Sequence, residues 1–214
     1  MATTGLFSCG QGSKSRPDTV DTDTLGSTEN VESQKPLTHH NDKYIDTKYE
    51  YIDAMGKSLI IENSLPKGGL KYTDPNAKDY VYAIFWTRIT NQTANPFELT
   101  IDFPADSFEL LSSAGNYFKI FLPSDTMTLE KEPLFDYGLT GLESFLNNGL
   151  HKSSSLQRTI NPKDSSVFYV VTLFNKGVEG VMRAGLSLKE QNLFYRINDI
   201  EIYCGQTNFK KLKR

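Results

Sequence analysis

From Tyr80 to Thr90 the chain reads YVYAIFWTRIT, eleven residues with no glycine, no proline and a single charge. β-Branched and aromatic side chains at that density suit a pleated, buried strand and crowd the surface of a helix. Side chains alternate across a strand, so Val81, Ala83, Phe85, Thr87 and Ile89 share one face, while Tyr80, Tyr82, Ile84, Trp86 and Arg88 share the other. The first set is apolar enough to be core. The second is amphipathic, rings with polar tips ending in a guanidinium, and it has two readings. In one, Tyr80, Tyr82, Trp86 and Arg88 are a candidate ligand-binding surface that stacks on sugar rings or anchors a protein partner. In the other, the single tryptophan packs beneath a helix or an opposing sheet, as strand tryptophans do in sandwiches.

The rest of the sequence fits strands joined by turns. Ser58 to Glu62 is a short apolar run, and Pro66-Lys-Gly-Gly69 after it has turn chemistry. Asn91-Gln-Thr-Ala-Asn-Pro96 closes the long strand, and Phe97 to Asp102 returns as a hairpin partner. Ser107 to Leu111 and Tyr117 to Leu122 flank another turn. Leu139, Leu142, Phe145 and Leu146 recur at helical spacing and place one helix over 139–148, with Gly149 as its stop. Strands resume at Leu156–Ile160, Ser166–Phe174, Val181–Leu188, Leu193–Ile197 and Ile200–Cys204. Roughly eight or nine short strands with one inserted helix favour a mainly β, antiparallel β-sandwich. Parallel pairing needs long crossover connections between successive strands, and the pattern has no room for them.

Composition divides the chain near residue 43. Of 25 aromatic residues only Phe7 lies in the first 43, a segment with twelve Ser or Thr. Such a segment buries too little apolar surface to offset its ordering entropy, so 1–43 reads as a disordered tail. Residues 44–207 read as the folded domain and 208–214 as a basic end, with Lys210, Lys211, Lys213 and Arg214. A net charge of −3 gives no reason to expect nucleic acid as a partner.

The strand ending in Ile89-Thr-Asn-Gln-Thr93, then Phe108-Glu-Leu-Leu-Ser-Ser-Ala-Gly-Asn-Tyr-Phe118, then Ile160-Asn-Pro-Lys-Asp-Ser-Ser-Val-Phe168 follow in an order that resembles small immunoglobulin-like domains of bacterial surface lipoproteins. The resemblance covers roughly residues 78–204 and implies an immunoglobulin-like sandwich. Leu6-Phe7-Ser8-Cys9 is in turn similar to a bacterial lipobox, which implies lipid attachment at the Cys9 thiol and cleavage before it. The polar segment after Cys9 then resembles a tether between membrane and domain. Only eight residues, without Lys or Arg, precede Cys9. A signal peptide has a charged start and an apolar stretch of about 7–15 residues. The expectation is a truncated signal remnant with the natural start upstream, and a cytoplasmic location if Met1 is the true start.

Little else in the sequence carries chemistry. His39 and His40 have no further ligand at metal spacing, and His151 follows the helix stop, where it suits the terminal carbonyls. Asp102, Asp106 and Glu109 are one carboxylate group to weigh, as a cation or hydrolase site or as caps of a proline bend, while Asp18, Asp21 and Asp23 lack the Gly and distant Glu of an EF-hand loop. Asn91-Gln-Thr93 has the form of a glycosylation acceptor. Cys204 reads as a small buried apolar residue. The resulting expectation is a non-catalytic cell-envelope lipoprotein, without cofactor or metal, that binds an unidentified protein or glycan. A carbohydrate-binding module using the aromatic strand face and a secreted hydrolase are the alternatives.

Overall fold

The computed structural model describes residues 42–209. The expectations for the tail, for Cys9, His39 and His40, and for the basic end at 210–214 lie outside the described residues.

The described chain is mainly β and all its pairings are antiparallel. A 3-10 turn at Asp42–Tyr44 leads into β1 (Ile45–Ile52), β2 (Ser58–Ser64), β3 (Lys67–Thr73) and β4 (Asp79–Asn91). Then come β5 (Phe97–Phe103), β6 (Phe108–Glu109) and β7 (Tyr117–Phe121). A long connection holds 3-10 turns at Leu129–Lys131 and Phe135–Gly138 and the helix α1 (Leu142–Gly149). It leads to β8 (Ser154–Ile160), β9 (Asp164–Phe174), β10 (Ala184–Lys189), β11 (Asn192–Ile197) and β12 (Ile200–Thr207). One sheet runs β1-β2-β4-β9-β7-β6, with β3 also paired to β4, and the other runs β10-β11-β12-β5-β8.

The two sheets pack as a sandwich. Ala83, Phe85 and Ile89 of β4 and Phe168, Val170 and Phe174 of β9 meet Phe97, Leu99 and Ile101 of β5 and Leu186, Leu193 and Tyr195 of the second sheet in one core. A second core lies on the opposite face of the first sheet. There Tyr82, Ile84 and Trp86 of β4 and Tyr169, Val171 and Leu173 of β9 are covered by Met127, Tyr137, Leu146 and Leu150 of the long connection. The β4–β9 pair, in register from Val81↔Phe174 to Asn91↔Asp164, is therefore buried on both faces along Tyr82–Thr87 and Phe168–Leu173. That double burial is why its sequence is apolar almost without interruption. Each large apolar side chain fully buried there contributes about 1.5–3 kcal/mol before entropy is counted.

Several sequence expectations need adjusting. β5, expected to return as the hairpin partner of β4, crosses instead to the second sheet, where it pairs with β8 and β12. The described residues form twelve strands rather than eight or nine, several of them short. The Pro66–Gly69 stretch begins β3, which carries a register shift between Gly68 and Leu70. β1, ahead of the first expected strand, pairs with β2 along its length. The helix begins at Leu142, because Leu139 closes the preceding 3-10 turn in an extended conformation.

Candidate functional site

The outer face of β4, expected as either a ligand platform or a packed layer, is a packed layer. Trp86 is 0% exposed, Tyr82 and Arg88 are buried, and Tyr80 alone stays half-buried. The Trp86 ring meets Tyr137 edge to face at 6.4 Å. Tyr82 donates its hydroxyl hydrogen to Asp136 Oδ2 at 2.7 Å. Arg88 is committed to Glu62: its Nε donates to Oε2 at 2.6 Å, and Nη2 bonds the same oxygen. Lys48 holds the other oxygen of that carboxylate at 3.3 Å. These side chains face the chain's own cover, so the platform expected from Tyr82, Trp86 and Arg88 is not presented to solvent.

The cover is held against strain. Asp136, Tyr137 and Gly138 have successive φ of 48°, 55° and 64°, and each non-glycine residue in that region costs roughly 1–3 kcal/mol. Tyr137 is fully buried and donates to Leu65 O at 2.7 Å, while its own carbonyl accepts from the Tyr169 hydroxyl at 2.7 Å. Lys67 Nζ sits 4.2 Å from the Tyr137 ring centre and donates to Glu132 O at 2.5 Å and Leu134 O at 2.6 Å. Burial pushes the Tyr137 and Tyr169 hydroxyls up to about 12, so both stay protonated donors at neutral pH. Desolvation also pushes the Glu132 carboxyl up, against the opposing pull of Arg88.

The other sequence candidates separate. Asp102 stands exposed on β5 in the second sheet, while Glu109 is on β6 in the first and accepts the Gly115 N–H at 2.9 Å. Among the described residues no group of three or more His, Cys, Asp and Glu side chains is placed to hold a metal ion. His151 is exposed, and Lys119 serves the end of α1 instead, donating to Leu150 O at 3.0 Å and Ala105 O at 2.8 Å. Asn91 is fully buried with its Nδ2 hydrogens given to Asn95 O and Ile160 O, a structural role that leaves no room for a glycan on its amide in the folded chain.

What the fold does build is a cleft of about 640 Å³ beside α1. Its walls are the N-terminal and outer side of α1, the chain leaving β7 and the chain entering β8. Phe121, Leu139, Leu142 and Phe145 form the apolar side, with the Phe121 and Phe145 rings edge to face at 6.2 Å. Ser124, Asp125, Ser144, Asn148 and Lys152 form an exposed polar rim. The walls are fastened: Ser154 Oγ accepts the Leu122 N–H at 2.7 Å, and Asn148 Nδ2 donates to Ser144 O at 2.8 Å. On the far side of the helix, Tyr72 donates to Asn147 Oδ1 at 2.6 Å. Sequence reasoning found the helix but not this cleft, since its walls come from three separate stretches of chain. On α1 itself the polar side chains Ser144 and Asn148 are the only local signal.

Compared with protein-family models, curated proteins and solved structures, the chain matches none.

Proposed function

We propose that this protein is a non-catalytic binding protein of the bacterial cell envelope, an immunoglobulin-like sandwich tethered through lipid on Cys9, with its ligand taken in the cleft beside α1. The observation that carries the binding half is the cleft itself. It joins an aromatic and aliphatic wall to a rim of hydroxyl, amide, carboxylate and ammonium groups. Its volume falls among the roughly 300–1,000 Å³ of ordinary ligand sites. Walls already fastened by Lys119, Tyr72 and Ser154 lower the ordering cost that binding must offset. The anchor half is supported by Leu6-Phe7-Ser8-Cys9 and the Ser/Thr-rich stretch behind it. Two acyl chains on one residue would hold the protein stably where a single chain holds only marginally.

One preparation tests both halves: the protein isolated from its native membrane fraction with the upstream reading frame intact. Intact-mass analysis is expected to give a chain starting at Cys9 with added acyl mass. A chain that keeps an unmodified Met1–Ser8 segment overturns the anchor. Native mass spectrometry of the same sample is expected to show a non-covalent adduct that Ser144→Trp, which fills the cleft, removes. An adduct unaffected by that substitution, or none, overturns the cleft as the binding site.

A further inference from the structure

We infer that the cleft beside α1 recognises a neutral saccharide. This rests on the binding reading above and adds the chemical class of the ligand.

Three properties of the cleft point that way. Its lining is mixed in polarity, with half-buried Leu142 and Phe145 and the buried Phe121 ring among exposed Ser124, Asp125 and Asn148. A sugar ring is amphipathic in the same way, with C–H groups on its faces and hydroxyls around its edge, and the electron-rich face of an aromatic ring attracts such C–H groups. The rim's charge is balanced, because Asp125 and Lys152 are the only ionised side chains among its lining residues. A phosphate-rich or otherwise polyanionic ligand would find no excess of cations to compensate it. Finally, the rim is dominated by hydroxyls and a carboxamide, which donate and accept alike and so match ligand hydroxyls in either role.

A peptide is the competing occupant of such a cleft. One mode by which extended peptides gain affinity is adding a strand to a free sheet edge. Here the walls are a helix and two loop segments, with Phe121 and Ser154 only at the ends of their strands. The cleft therefore offers side-chain groups rather than a ladder of backbone donors and acceptors.

The test is an amide ¹H–¹⁵N titration of the full chain with maltose, cellobiose and N,N′-diacetylchitobiose, and separately with inorganic phosphate and the peptide Ala-Ser-Gly-Ala. At least one disaccharide is expected to shift amides confined to 121–125 and 139–154, while phosphate leaves them in place. Asp125→Ala and Asn148→Ala, both at exposed positions, are each expected to weaken that binding roughly three- to tenfold, the range for loss of one hydrogen bond. Phe145→Leu keeps apolar volume but removes the ring and is expected to weaken it too, with a dispersed spectrum showing that the fold persists. No shift with any of the three disaccharides overturns the inference, as does binding that neither polar substitution changes. If only the peptide moves the cleft amides, the saccharide class falls and the binding site stands. If nothing moves them, both fall.

Discussion

The carboxamide of Asn63 grips the backbone of Leu186 from both sides: Nδ2 donates to Leu186 O at 3.0 Å and Oδ1 accepts the Leu186 N–H at 2.8 Å. Thr47 Oγ1 and Thr87 Oγ1 take up the amide's remaining capacity at 3.1 and 2.9 Å. Next along β10, the Tyr51 hydroxyl accepts the Leu188 N–H at 2.8 Å. Side chains from one sheet thus close part of the open edge of the other, where unpaired backbone groups invite association. The fit leaves no room at Gly185, where an added Cβ would lie 2.7 Å from Asn63 Nδ2.

Asn63→Ala is therefore expected to lower stability by about 2 kcal/mol or more, since each buried group left unpaired costs roughly 1–3 kcal/mol. Gly185→Ala is expected to destabilise as well, and the double substitution to cost less than the sum, because removing the amide makes space for the methyl. Urea unfolding of the three variants checks this. Strict additivity would contradict the interlock.

Glu132 gives a pH dependence of definite sign. Desolvation raises its carboxyl above the ordinary value of 4.5, so the folded state holds a proton that the unfolded chain releases. Its contribution is most favourable below the unfolded value and is lost as pH rises through the raised, folded one. Glu132→Gln should then raise the melting temperature at pH 8 and leave it nearly unchanged at pH 4. A variant less stable at pH 8 would mean that attraction to Arg88 and Lys67 outweighs desolvation.

Tyr195 is buried in the sandwich core, and its hydroxyl has no hydrogen-bond partner among the described residues. Its ring packs edge to face on Phe103 at 5.6 Å. Tyr195→Phe keeps the ring and removes the desolvated hydroxyl. It is expected to stabilise the protein by about 1 kcal/mol, read by thermal or urea unfolding.

Cys204 is a buried free thiol that burial pushes up to about 12, which leaves almost no thiolate at neutral pH. In a Cys9→Ser chain, a thiol-specific disulfide reagent at pH 8 is expected to react only at the rate of unfolding and to react fully in denaturant. Rapid labelling of the native protein would contradict the burial.

The parts of this fold that were legible in the sequence are those where local pattern and tertiary environment agree. β4 and β9 read as strands because apolar side chains fill both of their faces. The alternation of Tyr49 and Tyr51 with Lys48 and Glu50 marks β1, but only Tyr51 of that strand is buried, so the segment carries no apolar run that reads as a strand. Gly68 reads as a turn residue because it takes a positive φ. In the folded chain that freedom serves the irregularity of β3, where an added Cβ would lie 2.9 Å from Tyr82 O. The left-handed turn at Asp136–Gly138 has no local signature, since Tyr82, Leu65 and Tyr169, more than thirty residues away, hold it in place. For the same reason the aromatic face of β4 could not be told from a displayed one: what covers it arrives from residues 122–153. The cleft depends on the same long connection, and its rim of Ser, Asp, Asn and Lys looks like any solvated loop until the walls are brought together.

The central claim is that β4 supplies core while recognition falls to the cleft beside α1. A crystal structure of the full chain with the tightest-binding of the three disaccharides tests it most directly. The account expects the sugar between Phe145 and Asp125, with Trp86 still covered by Tyr137. A sugar stacked on Trp86, with the 128–138 segment displaced, would contradict it.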